Sequence, residues 1–341
     1  MQPQPRQALV TGGTGFLGGR LARRLQADGW RVTVVGRNAA SGRALEAGGI
    51  RFIRADLADQ ADQEAATIAC REQEIVFHAA ARSSPWGRYA EFFRDNVLAT
   101  RHLVAACQHQ NVARLIHVST PSIYFDQTDR LNISESQPPA AVPANHYVRT
   151  KLLAEADVDA AAARGLAVVT LRPRAIFGPG DATLFPRLIR AHGSRGFPLI
   201  GRGDPLMDVT YVENVVDALL LAAEAPEAAL GRKFNVTNGE PWPRSQLLAT
   251  LFSEIGQPLK TRSVHYGVAH GTAALLECFS ALFTFARWEP PLTRYTVGVL
   301  AKSQTLDISA ARAHLGYAPR VSVADGLRAF GAWWKETHAA T

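Results

Sequence analysis

The stretch QALVTGGTGFLG, residues 7–18, decides the fold that we predict for this chain. Its first half is a short apolar run, which is typical of a strand buried on both faces of a sheet. Three glycines follow at a spacing of three residues: Gly12, Gly15 and Gly18. Leucines at every fourth position from Leu17 to Leu25 predict a helix with one apolar stripe. A strand, a glycine-rich turn and a helix in this order indicate the start of a βαβ unit.

The same alternation of strand-like and helix-like segments continues through the first half of the chain. Short apolar runs predict strands at residues 7–11, 31–35, 50–54, 74–78, 114–118 and 167–171. Helical patterns predict long helices at residues 90–108 and 146–163. We therefore predict an α/β protein with a Rossmann, doubly wound parallel sheet.

A change of architecture is predicted after Leu171, where proline and glycine begin to cluster. We predict a Rossmann dinucleotide-binding domain of residues 6–173, to which residues 207–237 return with a helical pattern and a strand-like run. Residues 174–206 and 238–341 are predicted to form a smaller, interleaved and mostly helical substrate-binding lobe.

The composition excludes several classes of protein. Of the 341 residues 47% are hydrophobic and 20% are charged, so the chain can bury a core and is not a disordered or fibrous protein. Its three cysteines are too few and too widely spaced for a disulfide scaffold, and they indicate a reducing compartment. The polar start of the sequence lacks an apolar signal core, so we expect a cytoplasmic location. No zinc-ribbon or H-E-x-x-H spacing occurs, and we expect no metal.

The charge balance is basic, with 37 basic and 30 acidic residues and a net charge of +7. Thirty-two of the basic residues are arginines, and they are scattered rather than interleaved with aromatic residues. This distribution favours solvated helix surfaces over a nucleic-acid site, and we expect no nucleic-acid partner. A basic protein can still favour anionic substrates or anionic lipid surfaces.

Residues 268–286 are mostly apolar and about long enough to span a bilayer. They include His270 and Glu277, and an acidic residue at the centre of a span costs several kcal/mol. We therefore predict a buried helix, or an apolar lid over a lipid-like substrate, rather than a membrane span. Peripheral contact with a membrane or with enzymes of the same pathway stays open.

The glycine turn is typical of a dinucleotide site. A tight turn requires a residue without Cβ, and the backbone must come close to a pyrophosphate. The helix N-terminus then offers free N–H groups and the positive end of its dipole to the phosphates. A purely structural turn is the alternative, but the position between the first strand and the first helix favours a dinucleotide. Because no Lys-Ser or Lys-Thr pair closes the loop, a nucleoside triphosphatase is disfavoured.

The end of the second predicted strand, VVGRN at residues 34–38, indicates which dinucleotide binds. An NAD-preferring site usually places an acidic residue here, which holds the ribose 2′-hydroxyl. No acid is present, and Arg37 is able to pair with a 2′-phosphate, although a merely solvated Arg37 is the alternative. We predict NADP(H) as the cofactor, with NAD(H) as the alternative.

Tyr147 and Lys151 lie four residues apart on a predicted helix, so both side chains can address one site. A free tyrosine has a pKa of about 10, and a neighbouring ammonium lowers it. We predict that Tyr147 exchanges a proton with a substrate oxygen while hydride moves to or from nicotinamide. The alternative is a surface helix that exposes both side chains. Ser119 and Thr120 end the fifth predicted strand, where a hydroxyl can hold a substrate carbonyl oxygen.

Over nearly its whole length the chain resembles the extended short-chain dehydrogenase/reductases. The motifs that carry the resemblance are TGGTGFLG at 11–18, DL at 56–57, FHAA at 77–80, NV at 96–97, ST at 119–120 and the Tyr147/Lys151 pair. The resemblance implies that Thr120, Tyr147 and Lys151 are catalytic, with Tyr147 as the acid–base and Lys151 as the group that binds ribose and tunes Tyr147. It also implies a cofactor site formed by Gly12, Thr14, Gly15, Phe16, Leu17, Gly18, Arg37, Asp56, Leu57, Ala79, Ala80, Tyr147, Lys151 and Pro173, with Asp56 at adenine.

The second half narrows the resemblance to the 3-beta-hydroxysteroid dehydrogenase-like branch. The motifs are LRPRAIFGPGD at 171–181, DVTYVEN at 208–214 and HLGYAP at 314–319. With PWG at 85–87, STPS at 119–122 and PPLTR at 290–294, the chain is most similar to the bacterial 2-alkyl-3-oxoalkanoate reductases of that branch. This implies reduction of a 3-keto group with NADPH, in long-chain olefin biosynthesis. The wider family also implies a homodimer that pairs the two long helices into a four-helix bundle.

We therefore predict an NADPH-dependent reductase of a hydrophobic 3-keto substrate such as a 2-alkyl-3-oxoalkanoate. The alternatives are a hydroxysteroid or hydroxy-lipid dehydrogenase, a nucleotide-sugar epimerase or dehydratase and, least favoured, a non-catalytic NADPH-sensing protein on the same fold. Four aromatic residues in predicted loops are candidates for the wall of an apolar pocket: Trp86, Tyr124, Phe177 and Phe185.

Overall fold

The computed structural model describes residues 5–338. Its strands are β1 (Gln7–Thr11), β2 (Arg31–Gly36), β3 (Arg51–Arg54), β4 (Ile75–His78), β5 (Arg114–Val118), β6 (Arg130–Ile133), β7 (Val168–Pro173), β8 (Ile176–Phe177), β9 (Phe197–Ile200), β10 (Leu206–Met207), β11 (Thr210–Tyr211), β12 (Lys233–Val236), β13 (Trp242–Pro243), β14 (Thr261–Val264) and β15 (Gln304–Leu306). Its helices are α1 (Phe16–Ala27), α2 (Ala39–Ala47), α3 (Gln63–Cys70), α4 (Tyr89–Phe92), α5 (Ala99–His109), α6 (His146–Ala163), α7 (Leu184–His192), α8 (Val212–Ala223), α9 (Arg244–Glu254), α10 (Tyr266–Thr284), α11 (Arg294–Ala301), α12 (Ser309–Leu315) and α13 (Val323–His338).

Seven strands form one parallel sheet in the order β12-β7-β5-β4-β1-β2-β3. All six predicted strands lie in this sheet, with ends that differ from the prediction by at most two residues. The chain reverses its direction of winding between β1 and β4, and open α/β sheets bind ligands at the carboxyl ends of the strands beside such a reversal. The predicted doubly wound Rossmann sheet is confirmed.

Helices cover both faces of the sheet, which explains why its central strands are largely apolar. Helices α1, α8 and α12 contribute to the core on one face, and α3, α5 and α6 contribute to the core on the other. Helix α6 has the predicted bounds. The predicted helix at 90–108 is interrupted, because a π-helical segment, Phe93–Leu98, joins α4 to α5.

The second lobe has its own core, in which the side chains of α7, α9 and α13 meet those of β8, β9 and β11. One departure from the predicted division of the chain lies in the Rossmann core. Four residues from the segment predicted for this lobe pack in the Rossmann core instead: Ile308, Ala311, Leu315 and Tyr317. They do so because α12 lies against α8 and β12, and its apolar side chains cover the end of the sheet.

Helix α10 contains most of the apolar segment at 268–286. Four of its residues are buried: Ala269, Ala273, Glu277 and Ser280. The prediction of a buried helix is therefore wrong for most of its length, although Val268, Ala269 and Thr272 line a cavity, as a lid would. Within residues 5–338, no helix combines the length and apolar character that crossing a membrane requires.

Candidate active site

A cavity of about 1410 Å³ lies at the carboxyl ends of the central strands. At one end it is lined by the glycine turn after β1 and by residues that follow β2, β3 and β4. Elsewhere its wall is largely aliphatic and comes from α7, α10 and α11. The three predicted catalytic residues, Thr120, Tyr147 and Lys151, line the same cavity. So does every residue predicted for the cofactor site.

The turn between β1 and α1 has the backbone geometry that a pyrophosphate site requires. Gly12 has a left-handed φ of +70°, and a Cβ there would lie 2.8 Å from the backbone nitrogen of Ala80. A Cβ on Gly18 would collide with the carbonyl of Gly12. Gly15 is the N-cap of α1 and supplies no side-chain cap, so the first N–H groups of the helix are free for an anion. The residues present therefore fit the pyrophosphate of a dinucleotide.

Near the end of β2, the cavity wall includes both a basic side chain, Arg37, and two acidic ones, Asp56 and Asp95. The Arg37 guanidinium is 3.3 Å from the Asp95 carboxylate and 3.7 Å from that of Asp56. Arg94 pairs with the same two carboxylates. Of the two arginines, Arg37 lines the cavity, and its side chain remains 58% exposed. Arg37 is therefore held beside the site rather than freely solvated.

Helix α6 positions the tyrosine and the lysine. The Asn145 side chain caps the helix by accepting a hydrogen bond of 2.9 Å from the Val148 N–H. Tyr147 then lies in the first turn and Lys151 one turn later. The Lys151 Nζ donates a hydrogen bond of 2.8 Å to the carbonyl oxygen of Val118, and its side chain is buried. Tyr147 keeps part of its surface open toward the cavity.

The protonation of this pair differs from the prediction. Burial raises the pKa of Tyr147 to about 12, although a hydrogen-bonding contact with Thr120 opposes the rise. Burial also lowers the pKa of Lys151 to about 8. The predicted lowering of the phenol pKa by the ammonium is wrong in this structure, because desolvation dominates and the ammonium is bound to the strand backbone. At neutral pH the Tyr147 phenol is therefore protonated.

Further hydroxyl groups gather beside Tyr147. Thr120 follows β5, and Ser122, two residues later, shares a hydrogen bond of 2.9 Å with the hydroxyl of Tyr295. Tyr295 lies on α11 and lines the cavity. The sequence analysis missed it, because its position beside the site depends on how the distant second lobe folds back.

A buried polar cluster supports α6 against the sheet. The Arg172 Nε donates a hydrogen bond of 2.9 Å to the Glu155 carboxylate, and another guanidinium nitrogen donates to the hydroxyl of Tyr124. Tyr124 is fully buried in this cluster and does not line the cavity. This corrects its assignment as a pocket residue.

Two of the other three aromatic candidates also need correction. Phe185 lines the cavity, as predicted. Phe177 lies behind it in the core of the second lobe, with ring centroids 4.9 Å apart, and does not reach the cavity. The Trp86 Nε1 donates a hydrogen bond of 3.0 Å to Ser280, so this ring holds its loop against α10 rather than lining the cavity.

Arg174 is a second residue that the sequence analysis missed. It follows β7, lines the cavity and is 93% buried, and Nη1 of its guanidinium donates to the Gln304 side chain. Its Nε has no hydrogen-bond partner in the part of the chain that the structure describes. Among the ion pairs of residues 5–338, none includes Arg174. The sequence did contain a signal for this residue, because Arg174 directly follows the apolar run that forms β7, at the edge of the sheet where ligands bind.

Comparison with known proteins identifies the family. Residues 8–237 match the NAD dependent epimerase/dehydratase family. The chain belongs to this family. A relative named 2-alkyl-3-oxoalkanoate reductase, from Stenotrophomonas maltophilia (strain K279a), is 36% identical over 328 residues, which are 94% of this chain and 97% of the relative. A sterol-4-alpha-carboxylate 3-dehydrogenase, decarboxylating, from Mus musculus is 31% identical over 94% of this chain and 89% of its own.

Solved structures of the epimerase/dehydratase family share the fold. MoeE5, solved in complex with UDP-glucose and NAD, is 28% identical and superposes with a TM-score of 0.74, covering 97% of this chain and 99% of its own. The predicted membership of the extended short-chain dehydrogenase/reductases is confirmed, and the protein is an NAD(P)-dependent enzyme that acts on CH–OH or C=O groups. Its glycine turn would hold the cofactor pyrophosphate, and Tyr147 and Lys151 would adjoin the reacting end.

Proposed function

We propose that this protein reduces the 3-keto group of a 3-oxo acid with long apolar chains and uses NADPH as the reductant. One observation carries the proposal: a neutral Tyr147 lies beside Thr120 in a cavity with a largely aliphatic wall. The relative named 2-alkyl-3-oxoalkanoate reductase supports the same reaction, since it matches nearly the full length of both chains.

Carbonyl reduction requires a hydride at carbon and a proton at oxygen. Bound NADPH would supply the hydride. Tyr147 would transfer its phenolic proton to the carbonyl oxygen, so that C=O becomes CH–OH. Thr120 would donate a hydrogen bond to the same oxygen and so stabilise its developing charge. Lys151, one helical turn from Tyr147, would bind the cofactor ribose, as the family resemblance implies.

The names of the relatives share a chemical feature. In a 2-alkyl-3-oxoalkanoate, and in a sterol 4-carboxylate that reacts at carbon 3, the carbon bearing the carboxylate adjoins the carbon bearing the oxygen. A substrate of this kind presents an anion close to Tyr147. Arg174 is suited to bind it, because its guanidinium is buried at the cavity wall without an ion-paired carboxylate in the described chain. The Tyr295 phenol is close enough to influence both Arg174 and Tyr147.

The aliphatic wall fits the alkyl chains of such a substrate. Side chains from α7, α10, α11 and the loop before α11 form it: Leu184, Leu188, Val268, Leu292, Val299 and Leu300. Transfer of each CH₂ group from water to such a wall is worth about 0.8 kcal/mol. We therefore expect kcat/KM to rise with chain length until the wall is filled.

The preference for NADPH rests on the residues after β2. No carboxylate stands at the end of this strand, and Arg37 borders the cavity with an exposed guanidinium. A 2′-phosphate would compete with Asp95 and Asp56 for this group.

The test measures loss of reduced-nicotinamide absorbance with a panel of 2-alkyl-3-oxo acids, ketosteroids and UDP-sugars. We expect turnover with the oxo acids. Tyr147→Phe should lower kcat by about 10²–10⁴-fold, since it removes the proton donor. NADPH binding, followed by its fluorescence, should stay within about twofold of wild type because the ring is retained. A Tyr147→Phe enzyme with wild-type kcat, or a wild-type enzyme that consumes NADPH with none of the oxo acids, would contradict the proposal.

A second candidate is oxidation of a 3-hydroxy acid or hydroxysteroid, which the sterol dehydrogenase relative favours. The same residues would serve it in reverse, with Tyr147 as the proton acceptor. A phenol with a pKa of about 12 is poorly suited to that role at neutral pH. Initial rates measured in both directions at the same pH separate the two candidates.

A further inference from the structure

One face of α10 is exposed and carries no charge. Its positions recur every three or four residues, so they form one stripe along the helix. The exposed residues are Val268, Gly271, Thr272, Leu275, Cys278, Phe279, Leu282 and Phe283. We call this stripe the α10 face. Leu275 is 74% exposed and Phe283 is 71% exposed, whereas helices that face water normally place charged side chains there.

The loop after α10 extends the α10 face. Phe285, in left-handed conformation, ends the helix with its ring 73% exposed. Trp288 follows, and its ring packs edge-on against Phe279. Of the ten large apolar residues that are most exposed in the described chain, seven lie between Val268 and Trp288. Clusters of this kind mark contact surfaces.

The charges around the α10 face favour an anionic partner. The two acids that lie within or directly after this segment of the sequence are paired, Glu277 with Arg294 and Glu289 with Arg187. Arg287, beside Trp288, is exposed and has no ion pair within residues 5–338. Arg262 is exposed near the N-terminal end of α10. It also has no ion pair within residues 5–338.

We propose that the α10 face lies on the surface of an anionic lipid bilayer, with the helix in the plane of the interface. The aromatic rings and leucines would enter the acyl boundary, and the flanking arginines would meet lipid phosphates. A second copy of the chain fits less well. A two-fold contact would bring the same patch against itself and set its unpaired arginines close together.

The α10 face also adjoins the cavity. Val268 and Thr272 belong to both. A bilayer on this face would therefore cover an entrance to the cavity. The idea that a lipid-like substrate enters directly from the membrane rests on the proposed function. The idea that the protein binds the membrane does not depend on it.

The experiment is vesicle flotation of the full-length protein with vesicles of phosphatidylcholine alone or mixed with phosphatidylglycerol. We expect wild type to float with the mixed vesicles, and less with the neutral ones or at high salt. Leu282→Glu combined with Phe283→Glu should weaken binding at least tenfold. Leu131→Glu, which changes a 53% exposed leucine on β6, should leave binding unchanged. Circular dichroism checks that each variant is folded.

Three outcomes would overturn the inference. The first is that wild type does not float with the mixed vesicles at low salt, and the second is that the Leu131→Glu control and the α10 double variant lose binding equally. The third is a wild-type dimer in light scattering that the double variant converts to a monomer, since the face would then join two copies. Flotation uses no substrate, so a failure of the proposed reductase activity leaves its result interpretable.

Discussion

At the residue scale, the direction of proton transfer depends on how deeply a phenol is buried. Tyr147 carries its proton at neutral pH, because desolvation of the phenolate outweighs the contact with Thr120. A protonated tyrosine suits reduction, in which the carbonyl oxygen must gain a proton.

Arg37 leads to a prediction about cofactor preference. We expect Arg37→Ala to raise the KM for NADPH by about 10–100-fold, since a hydrogen bond to a charged group is worth about 1.5–3 kcal/mol. The KM for NADH should change by less than about threefold, because NADH has no 2′-phosphate and so makes no such contact with Arg37. Steady-state kinetics with both cofactors provide the measurement. Equal losses with NADPH and NADH would show that Arg37 acts only through Asp56 and Asp95.

Arg174 leads to a prediction about the substrate. Arg174→Gln should raise the KM for a 2-alkyl-3-oxo acid by at least about tenfold, since it removes a buried cation from the carboxylate. Arg174→Lys, which keeps the charge, should lose less. The methyl ester of the same acid should react equally well with wild type and Arg174→Gln. If the variant loses acid and ester activity in parallel, Arg174 has a structural role.

At the scale of elements, the π-helical segment between α4 and α5 shapes the cofactor end of the site. It turns Asp95 toward Arg37 and Arg82, and it lets the Asn96 side chain bond to Thr150 on α6 at 3.0 Å. Segments of this kind often occur at functional sites, because the extra residue re-aims side chains. The two long helices that border the site are thereby joined.

The same two helices lead to a prediction about assembly. We propose that α5 and α6 pair with their copies in a homodimer, as the family resemblance implies. Ala156 and Ala160 are exposed one turn apart on α6, and small side chains let helices approach closely. Ala156→Arg with Ala160→Arg should convert a dimer to a monomer in light scattering. Ala332→Arg, on the exposed side of α13, is the matched control, and a wild-type monomer at micromolar concentration would contradict the prediction.

At the scale of the whole molecule, buried titratable groups make stability depend on pH. Burial lowers the pKa of His78 to about 3 and that of His117 well below its usual value of 6.5. Between pH 6 and pH 5 the unfolded chain therefore binds a proton on each histidine that the folded chain does not. Burial raises the pKa of Asp208 from 3.8 to about 6, so at this site the folded chain binds the extra proton. For these three groups together the net difference is about one proton taken up on unfolding.

We therefore expect the free energy of unfolding to fall by about 1–1.5 kcal/mol between pH 6 and pH 5, measured by urea denaturation. Asparagine at position 208 binds no proton, so in Asp208→Asn nothing offsets the two histidines. The free energy of unfolding of this variant should therefore fall by about 2–2.5 kcal/mol over the same pH range. The amide oxygen can still accept the hydrogen bond that Asp208 receives from the Leu306 N–H. Equal slopes for the two proteins would show that Asp208 does not titrate in this range.

Local patterns in the sequence predicted the sheet, the glycine turn and the pairing of Tyr147 with Lys151. Apolar runs, glycine spacing and the four-residue helical repeat act within one or two elements, so their consequences can be read from neighbouring residues. These patterns specify which side chains reach the carboxyl edge of the sheet.

The remaining features depend on long-range packing. Tyr295 comes close to Tyr147 because the second lobe folds over the sheet, and no local repeat connects the two residues. Arg174 lines the same cavity from the end of β7. An aromatic residue in a loop has the same appearance in the sequence whether it ends in the core, as Tyr124 does, or in the cavity, as Phe185 does. The sequence by itself determined the fold, the glycine turn and the placement of Tyr147 and Lys151 on one helix. Only the tertiary structure decided which side chains lost contact with water and which kept it. Burial keeps the proton on Tyr147, whereas the apolar face of α10 stays exposed because no other element packs on it.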